Sequence, residues 1–64
     1  MARRIIETGR LMRGSTGLVL VRDDGGTWQL DAPKRAESLL GYRVEIIAHR
    51  SGFDRLSAIR ITSC

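Results

Sequence analysis

Apolar and polar residues alternate along much of this chain in short runs. Leu18 and Leu20 share one side of an extended segment, and Val19 and Val21 share the other. Trp28 and Leu30 point one way and Gln29 the opposite way. Val44, Ile46 and Ala48 oppose Arg43, Glu45, Ile47 and His49. A period of two is that of a half-buried β-strand. Val, Ile, Leu and Thr, which fill these runs, suit a pleated surface. The pattern predicts strands over about Ile5 to Met12, Leu18 to Arg22, Thr27 to Asp31, Arg43 to His49, and about Asp54 to Ile61. In the last run Leu56 and Ala58 are in phase but Ile61 is not. A β-bulge near Ile59-Arg60 is expected to return Ile61 to the core.

Gly and Pro punctuate the runs. Gly14 and Gly17 bracket Ser15-Thr16, which reads as a hairpin loop. Asp23-Asp24-Gly25-Gly26 reads as a tight hairpin, since Asp-Gly supplies the positive φ angles of a primed turn. Ser51-Gly52 marks a last turn. One segment departs from the two-residue period. Ala32 to Gly41 reads as a two-turn helix, with Pro33 in its first turn and Asp31 placed to cap it. Ala36, Leu39 and Leu40 recur at i, i+3 and i+4, and Gly41 suits the left-handed stop.

The order is β-β-β-α-β-β. That is the order of a five-stranded Greek-key barrel of the OB type. The expected fold is therefore mostly β: a small five-stranded OB-like Greek-key barrel, one domain over residues 1–64, with a short helix between strands three and four. Closure also removes sheet edges that invite aggregation. The expected core is Leu11, Leu18, Leu20, Trp28, Leu30, Ala36, Leu39, Leu40, Val44, Ile46, Leu56 and Ile61.

Three strings carry a resemblance: Gly26-Thr27-Trp28-Gln29-Leu30-Asp31, Leu39-Leu40-Gly41-Tyr42-Arg43-Val44, and Gly52-Phe53-Asp54-Arg55-Leu56. Together they resemble a group of short bacterial OB-like proteins of unknown function, over nearly the whole chain. The shared residues set the pattern of the fold. The resemblance implies the fold and transfers no site residue.

Length and composition narrow the function. A chain of 64 residues is near the lower limit for a domain without a staple, so its core is thin and a large substrate pocket is not expected. The longest apolar run, Leu18-Val19-Leu20-Val21, is far short of the roughly 20 residues that span a bilayer. The first residues, Met1-Ala2-Arg3-Arg4-Ile5-Ile6, are basic, but Glu7 interrupts any leader-like apolar run. A cytoplasmic protein without a membrane partner is expected. Cys64 is the lone cysteine, so no internal disulfide forms and no thiolate zinc site is expected.

Net charge is +4, and ten of the eleven bases are Arg. Arg makes forked contacts with phosphate and stacks on bases. A GC-rich genome produces the same bias whatever the function, so basicity alone is a weak pointer to an anionic ligand.

Candidate chemistry is sparse. His49, Ser51 and Asp54 lie close in sequence, but Ser51 falls in a turn and nothing supplies an oxyanion hole. Asp23 and Asp24 serve the hairpin better than acid–base work, and offer a metal too few oxygens. Gly14-Ser15-Thr16-Gly17 lacks the lysine and helix of a phosphate loop. No enzyme, cofactor or metal is expected.

Binding is the stronger expectation. OB barrels hold single strands with a basic groove and stacking aromatics. The candidate phosphate and base contacts are Arg13, Arg22, Arg43, Arg50, Phe53 and Arg55, with single-stranded DNA or RNA as ligand. Arg10 also flanks the first loop. Trp28 is in phase with Leu30 and reads as core, and Tyr42 is placed to pack on the barrel, leaving Phe53 as the exposed aromatic. The alternative is a protein partner or homodimer using Val19, Val21 and Ile47, the branched residues opposite the core, with Ile5 or Ile6 beside them.

Overall fold

The first strand, β1 (Arg4–Arg13), is long enough to pair with two neighbours. A computed structural model describes residues 4–15 and 17–64. Met1 to Arg3 of the basic start and Thr16 of the first loop lie outside the described residues. The other elements are β2 (Leu18–Arg22), β3 (Thr27–Asp31), a 3-10 helix η1 (Lys34–Leu39), β4 (Arg43–Arg50) and β5 (Arg55–Ser63). The chain is mostly β, with one short helix between β3 and β4, as the pattern predicts.

The five strands close into a ring in the order β1-β2-β3-β5-β4. The early part of β1 pairs antiparallel with β4, from Arg4↔His49 to Arg10↔Arg43. Its later part pairs antiparallel with β2, from Gly9↔Arg22 to Arg13↔Leu18. β3 and β5 close the ring through three parallel pairs, Gln29↔Arg55, Leu30↔Leu56 and Asp31↔Ser57.

The core fills the ring. Leu11, Leu20, Val44, Ile46, Ala48 and Leu56 have no exposed surface, and Leu18, Leu30 and Ala36 are nearly as buried. Trp28, Leu39, Leu40 and Ile61 pack against this cluster but are only half-buried, which corrects their expected place in the core. Ala48 and the half-buried Ile5 join the packing. The expected bulge is present. The β4–β5 register shifts between Ile47 and Ala48, so that Ala58 faces Ala48 while Arg60 faces Ile47. Ile59 is the extra residue, and Ile61 returns to the side of Ile46.

Two local expectations are corrected. The helix is a 3-10 helix, with bonds from Ala36 N–H to Pro33 O and from Leu40 N–H to Glu37 O. Pro33 is extended (ψ 152°) and stands before the helix, and no side chain caps it. Asp31 belongs to β3 instead, opposite Ser57. In a segment this short the tighter i→i+3 bonds suffice, and they align Ala36 with Leu39 toward the core. Gly41 takes the expected positive φ, 85°.

The second correction is the β2–β3 turn. Gly25 N–H donates to Arg22 O, and Arg22 N–H to Gly26 O. Only Gly25 has positive φ (95°); Asp24 does not. A primed turn needs positive φ at one or both central residues, and neither Asp23 nor Asp24 has it. This is the pattern of a turn with Asp23-Asp24 at its centre and a following glycine bulge, which two acidic residues adopt without left-handed strain. No helix of the described residues is long and apolar enough to cross a membrane.

Candidate functional site

A polar cluster sits beside the half-buried Trp28. Alternation along β1 and β2 turns Glu7 and Arg22 to the same side of the sheet as Leu11 and Leu20. The Trp28 indole Nε1 donates to Glu7 Oε1 at 3.1 Å. Arg22 Nε lies 3.5 Å from the same oxygen, and its Nη2 lies 2.9 Å from Asp24 Oδ2. Asp24 Oδ1 in turn accepts the Gly26 N–H. Arg22 is thus held between two carboxylates.

The β4–β5 loop lies next to this cluster. Arg50 Nε donates to Gly52 O at 3.0 Å and Nη2 to Phe53 O at 2.8 Å. The same guanidinium stands 5.8 Å from the centroid of the Trp28 ring, within cation–π range. Arg50 therefore clamps its own loop and covers the indole. The loop is also stitched to β3, since Gln29 N–H donates to Asp54 O at 2.8 Å. Phe53 makes no use of this order. It is 91% exposed, the most exposed large hydrophobic residue among those described. Arg55 is exposed at the start of β5 opposite Gln29, with no carboxylate in salt-bridge range among the described residues.

The six candidate ligand contacts divide into three groups. Arg50, Phe53 and Arg55 come together on the β4–β5 loop. Arg22 and Arg43 border a depression of about 350 Å³ with Arg10, Met12 and Val21. There Arg43 Nη2 pairs with Asp23 Oδ2 at 2.6 Å, and Arg10 Nη1 donates to Gly41 O at 2.7 Å. Arg13 stands at the far end of β1, 3.3 Å from Glu37 of η1. Among the described residues, Arg13, Arg22 and Arg43 each have a carboxylate in salt-bridge range, whereas Arg50 and Arg55 do not.

The alternative apolar residues also separate. Ile47 on β4 lies opposite Ile6 on β1, which is 63% exposed. Val19 on β2 lies opposite Met12, and Val21 opposite Arg10. Arg10 and Thr8 of β1 stand between the two apolar pairs.

Among the described residues, no group of three or more His, Cys, Asp or Glu side chains is placed to hold a metal ion. Sequence reasoning missed Glu7 and the cover that Arg50 gives Trp28. The phase of Glu7 with Leu11 along β1 was the available signal for the first; the second depends on the fold of the loop.

The sequence pattern of a family described as a protein of unknown function, DUF5818, matches residues 8–64. The chain belongs to that family. No curated protein and no solved structure matches it significantly.

Proposed function

We propose that this member of the DUF5818 family is a non-enzymatic binding module that holds single-stranded nucleic acid on its β4–β5 loop and the adjoining strand β3. The reading takes the closed sheet as an OB-like Greek-key barrel. The ring order, the parallel β3–β5 closure and the helix between β3 and β4 support it. OB barrels bind strands on the face of their second and third strands and on the flanking loops. A chain with one cysteine and no internal disulfide suits the cytoplasm.

The exposure of Phe53 carries the proposal. Leaving a Phe in water forgoes roughly 1.5–3 kcal/mol of burial. Here the side chain stands on a loop that Arg50 and Gln29 hold in place, between two arginines with no carboxylate in salt-bridge range among the described residues. An aromatic flanked by cations is what base stacking beside phosphate requires.

Titration with short single-stranded DNA and RNA at several salt concentrations tests the reading. Phe53→Ala is expected to weaken binding by about 1–3 kcal/mol, the worth of one stacked base, with the folded fraction unchanged. Absence of binding at low salt would overturn the proposal. The second reading, a homodimer or protein partner, is favoured by the exposed Ile6 beside Ile47. A light-scattering mass above that of the monomer, lowered by Ile6→Ser, is its expected signature.

A further inference from the structure

The ring closes through only three β3–β5 pairs, ending at Asp31↔Ser57. β5 continues to Ser63, so its second half has β4 on one side and no described strand on the other. A groove of about 390 Å³ lies there, between β5 and η1. Four successive residues, Ala58 to Ile61, line it together with Pro33 and Leu39. Side chains of successive strand residues point to opposite faces. The bulge at Ile59 keeps Ala58 and Ile61 on the core side and Arg60 on the outer side, so a groove lined by residues of both sides meets the strand at its edge.

The backbone there is available. Cys64 N–H donates to Arg43 O, which marks those two residues as a hydrogen-bonded antiparallel pair. Such pairs alternate, so Thr62/Glu45 and Arg60/Ile47 also bond across to β4. The N–H and C=O groups of Ile61 and Ser63 then point to the open edge. No backbone bond among the described residues joins this edge to η1.

The walls have a definite chemistry. Leu39, Ile59 and Ile61 are apolar, with Ile59 44% exposed. Arg35 from η1 and Arg60 from β5 border the groove, and neither has a carboxylate within salt-bridge distance among the described residues.

We propose that this groove binds an extended acidic peptide segment, which adds to the free edge of β5 as a further strand. Main-chain bonds to Ile61 and Ser63 would supply the pairing. Alternate apolar side chains would enter the groove, and carboxylates would meet Arg35 and Arg60. This is strand addition, in which backbone bonds give affinity and alternate side chains give specificity. The site is separate from the Phe53 loop and does not depend on the nucleic-acid reading.

The probe is a capped hexapeptide alternating valine and glutamate, added to the full chain and followed by amide NMR and hydrogen exchange. Binding is expected to shift and protect the Ile61 and Ser63 amides. The double variant Arg35→Glu, Arg60→Glu, checked for an unchanged fold by circular dichroism, is expected to weaken binding roughly tenfold or more. A peptide N-methylated on alternate amides, made in both registers, is expected not to bind. A valine–lysine peptide binding equally well would overturn the acidic preference. Binding that survives N-methylation in both registers would overturn strand addition, as would shifts confined to the Phe53 loop. No binding at millimolar peptide, or binding of decanoate in place of the peptide, would overturn the proposal as a whole. Phe53→Ala is expected to leave peptide binding unchanged, which separates this site from the nucleic-acid surface.

Discussion

Gly9 occupies the point where β1 serves two neighbours at once, opposite Arg22 on β2 and Val44 on β4. A Cβ at this position would stand 2.2 Å from the Val21 carbonyl oxygen and 2.9 Å from its carbon. Both are backbone atoms, so no side-chain rotation relieves the clash. Gly9→Ala must separate β1 from β2 at the centre of their pairing. The expected loss is about 1–3 kcal/mol, as for other overpacked sites. A urea titration followed by Trp28 fluorescence would show a lower midpoint with an unchanged slope; an unchanged midpoint would mean that the strands do not approach so closely. The same scale explains why Trp28 is half-buried. Its indole N–H needs an acceptor, and Glu7 supplies one. A carboxylate shared with Arg22 favours a hydrated rim, so the indole stops where Glu7 and Arg22 keep contact with water.

At the scale of elements, the alternation of polarity located the strands well because one face of each is buried. β2 and β3 begin and end where the hairpin residues around Gly25 and the loop at Gly17 place them. The bulge in β5 was also legible, because Leu56 and Ile61 cannot face the same side of a regular strand. Strict alternation from Leu56 would turn Arg60 inward and Ile61 outward. The observed register does the reverse. Ile61→Ala is therefore expected to cost about 2 kcal/mol, the low end for a core aliphatic because the site is half-buried. Arg60→Ala is expected to stay within about 0.5 kcal/mol, as an exposed position does. Paired denaturation curves of the two variants check the bulge; equal losses, or the opposite order, would argue for a regular strand. The helix type was not legible, for a physical reason. Ala36 and Leu39 share a face at either 3.6 or 3.0 residues per turn, so the apolar spacing does not distinguish the two geometries. The order of strands in the ring was only implied, since β3 meets β5 through contacts distant in sequence.

On the scale of the whole molecule, basicity is divided by the fold. Arg13 and Glu37 are separated by 24 positions, and Arg43 and Asp23 by 20. Neither pairing could be read from local sequence, because only the closed sheet brings the partners together. Exposed pairs of this kind add little stability, about 0–1 kcal/mol each. Their consequence is electrostatic: three of the candidate arginines already have a carboxylate beside them, and a phosphate must compete with it. The remaining cations of the candidate site are Arg50, whose guanidinium is engaged by its own loop, and Arg55. This arrangement makes a quantitative prediction for the proposed ligand. For single strands, log affinity falls with log salt by about 0.7 per phosphate neutralised. If all five arginines predicted from sequence met phosphate, the slope would be about −3.5; the loop pair alone gives about −1.4. We expect the shallower slope in titrations from low to physiological salt. Arg55→Gln is expected to reduce it by about half, while Arg43→Gln leaves it nearly unchanged. A slope near −3.5, or an equal response to Arg43→Gln and Arg55→Gln, would mean that the ligand displaces Asp23 and runs across the depression bordered by Arg10, Arg22 and Arg43 instead of resting on the Phe53 loop.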